Sequence, residues 1–172
     1  GHGYEIYQQL ADAEGLWQVW RLKQSQLYAL LTKLEDAGYL AATMQPQEPR
    51  PPRKIYRLTA RGRDAFERWL QTPLTHGRQM RIEFLAKLYF APRQGAAGTA
   101  HLIDQQMAAC QSWLQELRGA NALLAGAQAA LEAEEDFFGY AVQQFRLNQI
   151  ESFITWLTTC RHAVSIAGTR GE

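Results

Sequence analysis

Apolar residues recur at helical spacing in two segments near the start of the chain. Ile6 and Leu10 indicate a short helix that ends near Gly15. Residues 16–22 are predicted to form a connector. A second helix follows, with Gly38 as its stop signal and leucines at the i, i+3, i+4 and i+7 positions of one face: Leu27, Leu30, Leu31 and Leu34.

The second helix presents small and polar side chains opposite its leucines. A helical projection places these residues on the outward face: Ser25, Ala29, Thr32, Lys33 and Asp36. A solvated helix face tends to carry Glu and Lys, whereas a helix that enters the DNA major groove needs short side chains, amides and hydroxyls. Taken alone, this face fits either interpretation.

Alternating positions next predict two strands joined by a stiff loop. Residues 39–44 are short and strand-like, and residues 54–58 alternate with Tyr56 and Leu58 on one face. The loop between them is rich in proline and basic residues, which indicates a β-wing. The proline spacing at Pro46, Pro49 and Pro52 also fits a polyproline II ligand, but the flanking strand signals favour the wing.

The segment after the wing is predicted to be a helix that Thr59 caps and whose packing side is Phe66, Trp69 and Leu70. Formal net charge over the 172 residues is only +1, yet residues 50–63 contain no acid and six cations: Arg50, Arg53, Lys54, Arg57, Arg61 and Arg63. Arg61 and Arg63 fall in the first helical turn, where the macrodipole disfavours cations. A nearby phosphate would account for them, and two solvated arginines are the alternative.

Together these segments resemble the PadR-type transcriptional regulators, which are dimeric winged-helix DNA-binding proteins of bacteria. HGYEIYQQL is similar to the family's second helix, LYALLTKLEDAGYL to its recognition helix and turn, and PPRKIYRLTARGRDAFERWL to its wing strand and linking helix. The resemblance covers residues 2–70 and implies that the family's first helix is missing or truncated in this chain. Lys23 departs from the family pattern, which often has serine or another small residue at the start of the recognition helix.

The resemblance implies a winged helix-turn-helix DNA-binding domain over residues 1–72, in a repressor that binds a pseudo-palindromic operator. Its half-sites would lie about 34 Å apart, or a multiple of that distance. The DNA contacts predicted on the recognition helix are Lys23, Gln24, Ser25, Gln26, Ala29 and Lys33, with Tyr28 added by the family pattern as a phosphate contact. Those predicted on the wing and linking helix are Arg50, Arg53, Lys54, Arg61 and Arg63.

The second half of the chain is predicted to be a helical domain over residues 78–165. It opens with a short helix that has Ile82, Leu85 and Tyr89 along one side and Phe84 and Leu88 along another. A long helix built to pair follows, because a heptad seam runs through Ile103, Met107, Cys110, Leu114, Leu117, Leu124 and Leu131.

The last helix has more apolar surface than one neighbour can cover. Its first stripe is Phe138, Val142, Phe145, Phe153, Trp156 and Cys160, and its second is Leu147, Ile150, Ile154, Leu157 and Val164. A second copy of the chain is the economical partner, and this half resembles the family's dimerisation domain in length and pattern. The predicted dimerisation residues are Ile103, Met107, Leu114, Phe145, Phe153 and Trp156. A helical interaction module whose winged fold binds protein instead of DNA is the competing hypothesis.

The resemblance also implies a small hydrophobic or aromatic effector, for which Trp113, beside the seam, is the predicted contact. Enzyme function is not expected, because the chain has no recognisable nucleophile motif or phosphate loop. The four histidines are scattered, and no carboxylate or cysteine accompanies them in a metal-ligand pattern, so no metal or other cofactor is predicted. Acidic residues 132–136 are predicted to open the last helix.

The chain is expected to be a cytoplasmic protein. No apolar run approaches the roughly 20 residues of a spanning helix, and the start does not resemble a signal peptide. Cys110 and Cys160 lie far apart within helical patterns and are predicted to be buried free thiols, as a reducing compartment favours.

Overall fold

The computed structural model describes residues 1–13, 15–46, 52–128 and 137–169, with side chains described outside 121–128 and 168–169. Its α-helices are α1 (Gly3–Ala11), α2 (Leu16–Val19), α3 (Gln24–Asp36), α4 (Ala60–Gln71), α5 (Glu83–Phe90), α6 (Gly95–Gln128) and α7 (Phe137–Thr169). The strands are β1 (Leu40–Gln45) and β2 (Arg53–Leu58), and 3-10 turns span Gly77–Arg81 and Ala91–Gln94. The prediction of a mainly helical chain with a small β-wing is confirmed.

These elements form two compact units. The first comprises residues 1–72 and 81–90, and the second comprises residues 73–80 and 91–172. The first unit therefore contains α1 to α5 and the strand pair, and the second contains the long helices α6 and α7.

The core of the first unit forms where α1 and α3 meet the strands. Leu27, Leu31 and Tyr56 are buried together, and partly buried apolar side chains pack around them: Ile6, Tyr7, Leu10, Leu40 and Ala42. The leucine stripe of α3 is thus confirmed at its centre, but Leu34 in the last turn is exposed. The helix ends as predicted, with Gly38 at a φ of 73°.

The predicted connector contains the four-residue helix α2, with Leu16 buried. Gly15 was expected to end the first helix, but α1 already ends at Ala11 and Gly15 is the N-cap of α2. The rings of Tyr7 and Trp17 meet edge to face at 5.9 Å and attach α2 to α1. A helix this short has no periodicity to detect, so tertiary contacts of this kind must stabilise it.

The two predicted strands pair as an antiparallel hairpin. Its register runs from Leu40 opposite Leu58 to Gln45 opposite Arg53. This pairing confirms the two strands of the predicted wing. Residues 47–51 of the loop, including Arg50 and Pro49, lie outside the described residues.

Thr59 caps α4 as predicted. Its hydroxyl oxygen accepts from the Gly62 amide at 3.0 Å and lies 2.8 Å from the Gly38 carbonyl oxygen. Gly62 in turn packs against the backbone of the turn after α3, since a Cβ at this position would lie 2.1 Å from the Tyr39 carbonyl oxygen. One hydroxyl and one missing side chain therefore fix the start of α4 beside the end of α3.

A buried lysine links the end of α4 to α5. Lys87 is 1% exposed, its Nζ donates to the Thr72 carbonyl oxygen, and it lies 5.2 Å from the centroid of the Trp69 ring. Trp69 Nε1 donates to Glu83 Oε1 at 2.9 Å. Burial lowers the pKa of the Lys87 ammonium, and the charge of Glu83 opposes that shift.

Of the two apolar sides predicted for α5, the side with Phe84 is buried, and the other is exposed at both of its ends. Phe84, Ala86 and Lys87 are buried, whereas Ile82 and Tyr89 are exposed. The apolar side chains were expected to face inward, but Lys87 takes one of the inward positions because its ammonium has the Thr72 carbonyl as an acceptor.

The second unit is built on the antiparallel pair of α6 and α7. Arg161 Nε lies 2.9 Å from Asp104 Oδ1, and Arg118 Nη2 lies 2.7 Å from Glu151 Oε1, which fixes the register of the two helices. The seam is buried at Ile103, Cys110 and Leu117, and Leu157 of α7 is buried as well. Two members of the predicted seam lie outside the described residues, namely the side chain of Leu124 and the whole of Leu131. Acidic residues 132–136 lie outside them as well.

Both cysteines are free thiols, with Cys110 buried and Cys160 only half-buried rather than buried as expected. Burial raises the pKa of both thiols. Over the described ranges, no helix combines the length and apolar character needed to cross a membrane. The same ranges contain no cluster of three His, Cys, Asp or Glu residues that could hold a metal ion.

Candidate nucleic-acid interface

The outward face of α3 is open to solvent along its length. The predicted contact residues on and before this helix are all exposed: Lys23, Gln24, Ser25, Gln26, Tyr28, Ala29 and Lys33. The opposite face is anchored in the core through Leu27 and Leu31. The helix therefore presents amide, hydroxyl and methyl groups from a fixed scaffold, as readout of base edges requires.

The start of α3 has a partial cap. The Gln26 side chain accepts from the Lys23 backbone N–H at 2.8 Å, which is the reach-back half of a capping box. Lys23 has no acceptor in its side chain and cannot cap the first turn. Lys23 thus places a cation at a helix end where a small capping residue is usual.

Tyr28 lies against the start of α1. A Cβ on Gly3 would come within 2.5 Å of Tyr28 Cε1, so the ring occupies space that only glycine leaves open. The N-cap of α1 is His2, whose Nδ1 accepts from the Glu5 amide at 3.2 Å while Glu5 Oε2 accepts from the His2 amide. The packing of Tyr28 against Gly3 brings α3 and α1 together at one edge of the first unit.

An open cleft of about 480 Å³ lies at that edge. It collects three of the predicted DNA contacts, Tyr28, Arg53 and Lys54, and its other lining residues are His2, Gly3, Tyr4 and Tyr56. Sequence reasoning missed the contribution of His2 and Tyr4. The capping box between His2 and Glu5 is the signal that could have located this edge.

The cations of the wing are engaged to different degrees. Arg53 Nε donates to Gln45 Oε1 on the paired strand at 3.2 Å. Lys54 forms an ion pair with Glu35 of α3, at 2.5 Å between Nζ and Oε2. Arg57 is exposed on β2. Arg50 lies outside the described residues, so the structure places only part of the predicted basic wing.

The two arginines at the start of α4 are both exposed. The Arg61 guanidinium lies 5.1 Å from the centroid of the Tyr39 ring, a cation–π contact at the turn after α3. Arg63 lies two residues further on, and its backbone N–H donates to the Thr59 carbonyl oxygen at 2.9 Å. The stacked Arg61 is held in place, whereas a freely solvated arginine would have to be ordered on binding.

The predicted dimerisation residues separate into two groups. Ile103 is 1% exposed within the single chain, and Met107 and Leu114 are partly buried. Phe145 is 61% exposed, and Phe153 and Trp156 are half-buried. The first half of α7 is unusually apolar at its surface, since Phe137, Phe138 and Tyr140 are also exposed.

Trp113, the predicted effector contact, is half-buried on α6. It does not line the cleft beside Tyr28. A second, shallow cleft on α7 is lined by Trp156 together with Asn148, Glu151, Ser152 and Thr155, and Trp113 is not part of it either.

Two family models match the chain. Residues 1–68 match the model of the transcriptional regulator PadR-like family, and residues 80–165 match the model described as virulence activator alpha C-term. The chain is similar to the negative transcriptional regulator PadR of Bacillus subtilis, with 29% identity over 156 residues that cover 90% of this chain and 85% of that protein. A probable transcriptional regulator of Mycobacterium tuberculosis is 30% identical over 73 residues, which cover 42% of this chain and 38% of the relative.

Solved structures of Bacillus subtilis PadR are also similar to the chain. The complex with operator DNA has 26% identity, covers 95% of this chain and 91% of that one, and has a TM-score of 0.42. The complex with p-coumaric acid has 25% identity, covers 96% and 90% of the two chains, and has a TM-score of 0.43.

Proposed function

Because the chain belongs to the PadR-like family of transcriptional regulators, we propose that it is a cytoplasmic repressor that binds a pseudo-palindromic operator as a homodimer. The observation that carries this proposal is the exposed polar face of α3 beside the cationic cleft. The name of the Bacillus subtilis relative, a negative regulator, supports repression.

In the proposed complex, α3 enters the major groove. Ser25 and Ala29 on its outward face are short enough to allow close approach, while Gln24 and Gln26 have amides that suit base edges or phosphates. Lys23 and Lys33 supply charge along the same helix, and Tyr28 donates to a phosphate from the cleft. Arg50 and Arg53 of the wing, with Arg61 and Arg63 of α4, contact flanking phosphates.

The proposed dimer forms through the exposed aromatic side chains of α7. Phe138 is 78% exposed and Phe145 is 61% exposed, and they lie two helical turns apart on one side of the helix. Monomeric proteins rarely leave such a patch in water. When α7 of one protomer pairs with α7 of its partner about a two-fold axis, the aromatic patches of both protomers are covered. The same two-fold symmetry matches a pseudo-palindromic operator. The partner surface therefore centres on Phe138 and Phe145, with Phe153 and Trp156 beside them.

A gel-shift competition tests the proposed DNA binding. DNA from upstream of the protein's own gene should form a complex that excess unrelated duplex does not displace. Ala29→Glu should abolish it, since the longer side chain and its charge block the approach of α3 to the groove. Ala108→Glu, at an exposed position of α6, is the matched control and should bind normally. Equal binding by the two variants would exclude α3 as the reading helix. A folded protein that forms no specific complex would favour the helical interaction module instead.

We further propose that a small aromatic or hydrophobic effector controls this binding, with Trp113 at its site. Such a ligand weakens DNA binding only if it prefers a different state of the dimer, so the affinities for ligand and DNA must be reciprocally coupled. Tryptophan quenching by phenolic acids, flavonoids and planar cationic dyes, with and without saturating operator, tests the coupling. Hits that bind equally tightly in both conditions would contradict it. Unchanged quenching in Trp113→Phe would exclude Trp113 as the reporter.

A further inference from the structure

Lys54 of the wing is held by two groups of its own chain. Its ammonium lies 2.5 Å from Glu35 Oε2 in the last turns of α3 and 5.6 Å from the centroid of the Tyr56 ring on β2. Glu35 and Lys54 are 19 residues apart, so the contact exists only when the wing folds back beside the recognition helix. The hydrogen bond to Glu35 raises the pKa of the Lys54 ammonium, which therefore keeps its proton at neutral pH.

The charge balance of this pair differs from that of its neighbours. A cation that neutralises a DNA phosphate releases condensed counterions and strengthens binding to any sequence. Lys54 and Glu35 together are neutral, so the pair brings no net positive charge to the backbone. Arg57, Arg61 and Arg63 are exposed cations of the same surface, and none of them has a carboxylate in the ion pairs of the described residues.

Stability alone gives a weak reason for the pair. The Lys54 and Glu35 side chains are 43% and 28% exposed, and ion pairs that are exposed to water contribute little to folding. A lone carboxylate at position 35 would repel the DNA backbone, and a lone ammonium at position 54 would attract it whatever the sequence. The pairing changes the affinity for DNA more directly than it changes the fold.

We propose that Glu35 limits the sequence-independent affinity for DNA, because it holds the Lys54 ammonium in an internal ion pair and so removes one phosphate contact from the wing. This proposal rests on the proposed DNA binding. Because a phosphate contact strengthens binding to any sequence, its removal weakens binding to operator and unrelated duplex alike and makes binding less dependent on salt, while the base contacts of α3 are unchanged. Lys54, predicted from the sequence as a wing contact, is then a partner of Glu35 instead.

The test is the salt dependence of binding to unrelated duplex, measured by fluorescence anisotropy for Glu35→Gln, Lys54→Ala and the double variant. Glu35→Gln should bind non-specific duplex more tightly and steepen the slope of log affinity against log salt by about 0.9, one extra phosphate contact. In the Glu35→Gln background, Lys54→Ala should reduce the slope of log affinity against log salt by about 0.9. In the wild type, the same substitution should reduce the slope clearly less. Glu67→Gln, which removes an exposed carboxylate from α4, controls for the change in net charge.

Two other outcomes would overturn the proposal. An equal loss of slope for Lys54→Ala in both backgrounds would show that Lys54 contacts a phosphate despite Glu35. The same steepening by Glu67→Gln as by Glu35→Gln would show a general charge effect. The lysine ammonium resonance of Lys54 gives a reading that does not depend on binding: Glu35→Gln should shift it in the free protein. If that shift is seen but no variant binds duplex, the ion pair stands and the proposed DNA binding is what fails.

Discussion

At the scale of single residues, Gly62 is the position where a minimal change has the largest expected effect. Gly62→Ala would force a Cβ to within 2.1 Å of the Tyr39 carbonyl oxygen, so the turn after α3 or the start of α4 must move. We expect a loss of about 2 kcal/mol or more in the free energy of unfolding. Gly119→Ala is the control, since its Cβ would meet no atom within 4 Å and should stabilise α6 by about 0.5–1 kcal/mol. Urea denaturation measures both, and equal stabilities would contradict the close packing.

The burial of Lys87 should make the free energy of unfolding depend on pH. Its folded-state pKa is lowered by burial from the usual 10.5, so between these two values the unfolded chain binds more protons than the folded one. The free energy of unfolding should therefore rise with pH in this window. Lys87→Met has a similar shape and no titrating group, so its stability should not gain this rise. Urea unfolding at a series of pH values gives both curves, and parallel curves would show that Lys87 titrates normally.

Single residues also show which contacts the sequence could predict. Thr59 was predictable as a cap because the Gly62 amide that its hydroxyl accepts from is only three residues away, whereas the pairing of Lys54 with Glu35 joins two separate elements. The buried Lys87 was not predictable from apolar periodicity, because its acceptor is a backbone carbonyl at the end of another helix. Chemistry within one turn of helix can be read from neighbours in the chain, but tertiary partners cannot.

At the scale of elements, the arginines of the wing should determine part of the salt dependence of DNA binding. If Arg50 and Arg53 each neutralise a phosphate, replacing both by alanine should flatten the slope of log affinity against log salt by about 0.9 for each contact. The loss of affinity should be similar for operator and unrelated DNA. Arg78→Ala, an exposed arginine of the second unit, controls for charge. An unchanged slope with a collapse of operator discrimination would mean that the wing reads bases.

Most elements were predictable because their patterns are long or strict. α3, α6 and α7 have many turns of apolar periodicity, and the two strands alternate up to a proline-rich loop. The short helix α2 and the inward position of Lys87 on α5 were missed. In both places, packing against other elements overrides a pattern of only a few residues.

At the scale of the whole molecule, the aromatic surface of α7 predicts the assembly. Phe138→Glu with Phe145→Glu places charge on side chains that are exposed in the single chain, so the subunit should fold and the dimer should dissociate. Light scattering should report a monomer, and the affinity for DNA should fall because each half-site is then bound alone. Ala108→Glu, at an exposed position of α6, is the control and should stay dimeric. A double variant that remains a dimer would place the interface elsewhere.

The sequence predicted that the last helix has a surplus of apolar surface, but it could not divide that surface between intrachain and interchain partners. The structure separates some of these residues, because Ile103 is buried within the single chain and Phe145 is exposed. Covering a stripe depends on where the other helix lies, and heptad spacing alone does not contain that information.

A hydroxyl-radical footprint on DNA from upstream of the protein's own gene shows whether a two-fold dimer binds DNA through α3. We expect two protected half-sites related by a dyad, with centres about 34 Å apart or a multiple of that distance. Protection should disappear with Ala29→Glu. A single protected segment without symmetry would show that the protein does not bind this DNA as a two-fold dimer. Uniform reactivity in the presence of folded protein would show that it does not bind this DNA at all.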